Sequence, residues 1–153
     1  MQARIANPTE LAPGAYKAMF AMEAFLGQCG IPSSTLHLIK LRASQINGCG
    51  FCVDMHARDA KKEGETDERV WSVAAWREAP YYTDEERAAL ALTEAATRLA
   101  DNPAGVPDDV WDLAADHYSE QDLAALVMAI ASINAWNRIN VTIRQPAGSA
   151  RAI

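Results

Sequence analysis

The chain has 153 residues, half of them hydrophobic, which suits one domain with a sizeable core and excludes a disordered segment. Lys and Arg number 14 against 20 Asp and Glu, a formal charge of −6 that argues against a nucleic-acid binder or a protein held at an anionic membrane. No apolar run is long enough to cross a bilayer, and Met1 to Pro13 lacks the basic-then-apolar pattern of a signal peptide, so a cytoplasmic setting is expected.

Abundant Ala and Leu, without alternating β-branched runs, predict an all-α chain of about six to seven helices over a single domain, 1–153. The first helix is expected over Ala15 to Gln28, stopped by Gly30 and Pro32. Ser34 is read as the cap of a second helix running to Ile46, and Asn47-Gly48 as a break. A third helix starts at Cys49 or Gly50 and continues to Glu63. Thr66 caps a short fourth helix that passes through Trp71 to Trp76 and ends at Pro80. Thr83-Asp84-Glu85-Glu86 is a capping box for a fifth helix to Leu99, so its acidic run is a helix start. A loop over Asp101 to Val106 precedes a sixth helix, Asp108 to His117. Ser119 caps a last helix through Asn140 or beyond, with Leu123, Val127, Ile130 and Ile133 on one face. So apolar a helix belongs in a core or a subunit interface. The tail from Gln145 is expected to fray. A faint internal echo links Ala43-Ser44-Gln45-Ile46-Asn47 with Ile130-Ala131-Ser132-Ile133-Asn134.

Three cysteines make a poor disulfide framework, and in a reducing compartment a Cys-x-x-Cys pair points to metal binding or catalysis. Cys49 and Cys52 stand at a helix start, where free N–H groups and the positive helix end favour a thiolate. His56 follows Cys52 by four residues and so shares its helix face. It can accept the Cys52 proton or pair with the thiolate as imidazolium. Two other readings stand beside redox chemistry. One is an inert buried cysteine pair; the other is a zinc module with Cys49, Cys52, His56 and His37 as ligands.

The stretch Leu38 to His56, which contains Asn47-Gly48-Cys49-Gly50-Phe51-Cys52, resembles the core motif of the carboxymuconolactone decarboxylase and alkylhydroperoxidase D (AhpD-like) superfamily. Trp76 to Pro80, Glu86 to Leu90 and Ile133 to Arg138 are similar too, so the likeness spans about Ser34 to Arg144. It is nearest to the single-domain, peroxidase-related members. The resemblance implies an AhpD-like helical bundle assembled as a homo-oligomer, trimer or hexamer. It also implies a thiol-dependent peroxidase or disulfide reductase with an antioxidant role and no cofactor. Cys52 would attack the peroxide, Cys49 would resolve it as a disulfide, and His56 would relay the proton. An external dithiol or reductase would then restore the pair. His37 stands twelve residues before Cys49, where the family commonly has a glutamate, and is the relay candidate there; Glu94 is a second source of a carboxylate. Lactone decarboxylation is the alternative activity that the superfamily name suggests, although those enzymes need no Cys-x-x-Cys.

Smaller expectations complete the reading. Cys29 is inert packing, and His117 helps a helix end. Trp71, Trp76, Trp111 and Trp136 fill cores or interfaces. Asn134, Asn137 and Arg138 are structural or subunit-contact residues before they are pocket residues.

Overall fold

The computed structural model describes residues 2–149, among which there are eight α-helices, two 3-10 turns and no strand. In chain order these are α1 (Pro8–Leu11), α2 (Pro13–Leu26), α3 (Ser33–Ile46), α4 (Gly50–Lys62), α5 (Asp67–Ser72), α6 (Asp84–Thr97), α7 (Asp108–His117) and α8 (Glu120–Thr142). The 3-10 turns are Val73–Ala75 after α5 and Leu99–Asp101 after α6. Helix α1, a single turn begun by a proline, is the element that periodicity does not reveal. The expected fourth helix therefore stops at Ser72 and continues only as the 3-10 turn, and the fifth stops at Thr97.

Helix α3 is the centre of the fold. It packs on α4, α6 and α8, and buries Leu36, Leu38, Ile39, Leu41 and Ala43 around most of its circumference. Each fully buried leucine or isoleucine there stabilises the fold by about 2 kcal/mol. Helix α6 contributes Ala88, Ala89, Leu90, Ala91 and Leu92, whose small side chains let its neighbours approach closely, and α7 lies against it. Helix α8 crosses behind α3, with α2 on its flank. Its buried residues are Leu123, Leu126, Ala129, Ile130, Ser132, Ile133 and Asn137, among others; Val127 faces out, which corrects its expected place on the core face.

Local chemistry sets the ends of these helices. Thr83 and Glu86 make the expected capping box, and Ser119 caps α8. Ser34 does not cap α3. That helix starts at Ser33, two residues before a Ser34 cap would start it, and no side chain caps its N-terminus. Three helices end in the same way, with a left-handed residue followed by paired N–H bonds back into the last turn. In α3, Gly48 (φ 68) donates to the Gln45 carbonyl at 3.3 Å and Cys49 to the Ser44 carbonyl at 3.0 Å. In α4, Gly64 (φ 98) donates to Lys61 at 3.2 Å and Glu65 to Ala60 at 3.0 Å. In α8, Arg144 (φ 55) donates to Val141 at 3.2 Å and Gln145 to Asn140 at 2.9 Å. Arg144 is the non-glycine residue with positive φ among the described residues.

The segment after α8 is held rather than frayed as far as residue 149. Gln145 Nε2 donates to Ser149 Oγ at 3.0 Å, and the Gly148 N–H to Asp54 Oδ2 at 3.0 Å. The rest of the expected fraying, 150–153, lies outside the described residues.

Candidate active site

The break at Gly48 turns the chain so sharply that α3 and α4 run back along each other, placing the cysteine pair at the start of α4. Cys49 is the N-cap of that helix and Cys52 its third residue. The two sulfurs are bonded across one turn, with Cα atoms 5.3 Å apart, and each residue is 1% exposed. The free helix donors are shared unequally. The Cys52 N–H points at Cys49 Sγ (3.3 Å), so the helix end serves Cys49. Cys52 Sγ instead receives the side-chain amide of Asn140, 3.5 Å away on α8.

His56 lies one turn beyond Cys52 on α4 and is buried, 8% exposed. Burial pushes its pKa down from 6.5 to about 4, and the charges of Lys40 and His37 push the same way, while Asp59 and Glu23 pull it up. With the disulfide closed His56 is therefore a neutral imidazole near pH 7, a proton acceptor rather than an imidazolium.

Lys40 and Glu23 are the neighbours that sequence reasoning missed. Lys40 Nζ on α3 bonds Glu23 Oε2 on α2 at 2.6 Å, and Trp136 Nε1 on α8 donates to Glu23 Oε1 at 3.1 Å. Ser132 donates to the same carboxylate. Burial works to raise the Glu23 pKa, but the bonds from Lys40, Ser132 and Trp136 outweigh it and hold the group below the usual 4.5. A glutamate and a lysine inside apolar helix faces were the available signal, but only the packing of α2, α3 and α8 joins them to His56.

His37 does not reach the sulfurs by any bond. Its Nε2 lies 3.1 Å from Glu63 Oε1 past the far end of α4, and its Nδ1 is buried without a partner. Glu94 is engaged elsewhere. Arg42 Nε donates to it at 2.6 Å, Trp76 Nε1 at 3.0 Å, and Arg77 bonds its second oxygen. The four side chains of the zinc reading are thus not gathered, since the sulfurs bond each other and His37 pairs with Glu63. Among the described residues no group of three or more His, Cys, Asp or Glu is set to hold a metal ion.

A ladder of amides pins the α3–α4 turn to α8. Asn47 Nδ2 donates to Asn134 Oδ1 (2.9 Å) and Asn137 Oδ1 (2.8 Å), and Asn137 donates to Ser44 Oγ (3.0 Å). The two echoing segments therefore meet, through Asn47 and Asn134. Asn140 continues the three-residue spacing of Asn134 and Asn137, a stripe visible in the sequence. Beside the turn lies a cleft of about 530 Å³ lined by Gly48, Cys49, Phe51, Asn140, Arg144 and Pro146, among others.

The remaining singled-out residues divide. Cys29 is a free thiol bonded to the Leu26 carbonyl and packed on the core. Trp76 is buried, and Trp136 packs against Tyr16 and Phe20. Trp71 is 72% exposed and Trp111 is exposed too, so neither fills the core of the chain. Arg138 is exposed and bonds back to Asn134.

The fold and the cysteine turn are those of a known class. The chain belongs to the carboxymuconolactone decarboxylase family, within the AhpD-like superfamily: the family profile matches residues 13–95, a span that holds Cys49, Cys52 and His56. It is similar to YdfG, an uncharacterised protein of Bacillus subtilis, with 43% identity over 140 residues, 92% of this chain and 94% of YdfG. The crystal structure of ATU0492 from Agrobacterium tumefaciens, a protein of unknown function provisionally described as an antioxidant defence protein AhpD, superposes with a TM-score of 0.89. The two chains are 39% identical, and the match covers 95% of this one and 98% of that one. Alkyl hydroperoxide reductase AhpD of Hyphomonas neptunium is 38% identical over 45 residues, 29% of this chain and 25% of its own length.

Proposed function

We propose that this protein is a thiol-dependent peroxidase or disulfide reductase of the AhpD-like kind. The observation that carries this reading is the bonded Cys49–Cys52 pair at the start of α4, with the Asn140 amide on Cys52 and a neutral, buried His56 on the same helix face. In the reduced protein His56 accepts the Cys52 thiol proton. The Cys52 thiolate attacks the outer peroxide oxygen, the O–O bond breaks, and the alkoxide or hydroxide leaves and takes up a proton. Cys52 is then a sulfenic acid. Cys49 sulfur attacks it, expels water, and closes the disulfide seen here. An external dithiol or reductase donates two electrons by exchange and reopens the pair. His37, held by Glu63, acts on His56 through its charge, which lowers the His56 pKa.

Counting free thiols tests the cycle. Peroxide should consume two thiols per chain, and a dithiol should restore them. Cys52→Ser should abolish peroxide consumption, while Cys49→Ser should react once and form no internal disulfide. Equal turnover by wild type and Cys52→Ser would refute the reading. The matching family's name supports a lyase as the second reading, and turnover of γ-carboxymuconolactone by the Cys52→Ser protein would favour it. A homo-oligomer, trimer or hexamer, is supported by the exposed Leu11, Phe20, Phe25, Trp71, Val127 and Met128, apolar surface that another copy can cover. Light scattering in solution checks this. We place the protein in the cytoplasm; among the described residues no helix is long and apolar enough to cross a membrane.

A further inference from the structure

The cleft beside the turn is walled by one member of the cysteine pair, itself only 1% exposed. Cys49 lines it, and Cys52 is not among its lining residues. Its volume is in the range of small-molecule sites, and Phe51 and Val141 give it apolar wall while Asn140 and Arg144 give it polar corners. Arg144 is exposed, and among the described residues its guanidinium has no hydrogen-bond or ion-pair partner. In a chain of net charge −6, such a cation is a local exception to a field that repels anions.

The backbone makes this arginine more telling. Of the three helices that end with paired N–H bonds around a left-handed residue, α3 and α4 use glycine and α8 uses Arg144. A side chain at such a position costs conformational energy that glycine avoids. The hydrogen bonds of that ending come from the main chain and need no guanidinium. What the arginine adds is therefore its side chain at the mouth of the cleft.

We propose that this cleft admits the reducing thiol, and that Arg144 selects one bearing a carboxylate close to its sulfur. The assignment rests on reading Cys49–Cys52 as the redox pair. The incoming thiolate attacks Cys49 Sγ and forms a new S–S bond with it. The Cys49–Cys52 bond breaks, and Cys52 leaves with the electron pair as a thiolate, which accepts the Asn140 amide hydrogen bond. A second thiol then attacks the reductant's own sulfur, releases Cys49 as thiolate, and departs as the oxidised disulfide. The guanidinium fork holds the reductant's carboxylate throughout.

The test uses oxidised full-length protein and two small thiols of similar size, 3-mercaptopropionate and 2-mercaptoethanol. The readout is the ratio of their rates in opening the disulfide, compared between wild type, Arg144→Gly and Arg144→Lys, so that the intrinsic reactivity of each thiol cancels. Arg144→Gly should lower the carboxylate preference by roughly threefold, the scale of an exposed ion pair. Its melting temperature should stay level or rise, because glycine suits the left-handed position. Arg144→Lys should keep more of the preference than Arg144→Gly. Added salt should erode the preference of wild type and leave that of Arg144→Gly in place. An unchanged ratio in Arg144→Gly, or a ratio that falls only together with the melting temperature, would overturn the assignment. Normal opening with an unchanged ratio leaves the redox pair standing and removes only Arg144. A native disulfide that neither thiol opens, beside an unfolded control that both open, removes the redox reading itself.

Discussion

Two carboxylates inside this bundle are held in nearly the same way and do different work. Glu23 and Glu94 each accept an indole N–H, from Trp136 and Trp76, and each pairs with a cation of α3, Lys40 and Arg42. Both are held below the usual carboxylate range. The difference is which face of α3 the cation occupies. Lys40 reaches Glu23 on α2 and its charge bears on His56, whereas Arg42 reaches Glu94 on α6 and is closed off with Arg77 over the Trp76 ring. Similar local chemistry thus serves packing on one side of a helix and titration of the cysteine neighbour on the other. Spacing in the sequence does not separate the two.

The largest effect should come from breaking the packing cluster. Glu94→Gln removes the charge that compensates Arg42, whose side chain is only 14% exposed, and should cost about 3 kcal/mol of stability by denaturant titration. The acid limb of activity in the folded variant should not move. Next is the pH dependence of wild type. The folded pKa of His56, about 4, lies below its unfolded 6.5, so stability is fully present above pH 6.5 and is lost progressively as pH falls toward 4. The loss should reach about 3 kcal/mol, with Glu23 and Glu94 adding to it only below pH 4.5. His56→Asn should flatten the upper part of that curve.

Glu23→Gln should cost less stability than Glu94→Gln, about 1–2 kcal/mol, because Glu94 pairs with two cations, Arg42 and Arg77, and Glu23 with Lys40 alone. It should nevertheless shift the pH profile. Removing a negative charge that raises the His56 pKa moves the acid limb to lower pH, and Lys40→Met moves it the opposite way. Equal stability losses and a common pH shift in both glutamate variants would erase the distinction. The smallest effect belongs to His37→Ala. Its Glu63 partner is half exposed, so the melting temperature should barely change.

The legible parts of this fold are those decided within a few residues. Gly48 marks the α3–α4 turn, Cys49 begins the next helix, and Thr83 with Glu86 boxes the start of α6. The Cys49–Cys52 juxtaposition is likewise local, one turn of helix. The rest depends on distant packing. Glu23 and His56, on α2 and α4, are brought into one electrostatic environment by the packing of α3 and α8, and Asn140 reaches Cys52 only because α8 crosses behind the turn. Position alone points His37 to the relay, yet the end of α4 offers Glu63 to it first. Arg144 escaped notice because nothing in the sequence announces a left-handed residue that is not glycine.

The amide ladder also makes the site vulnerable to time. Asn47 precedes Gly48, and an Asn-Gly dipeptide is where ageing proteins most readily lose ammonia through a cyclic imide. Here the amide at risk donates to both Asn134 and Asn137. Its conversion to a carboxylate would set acceptor against acceptor at the latch that holds the cysteine turn to α8. Asn47→Asp imitates that old age in a fresh sample, so storage history belongs among the controls whenever this protein's thiols are counted.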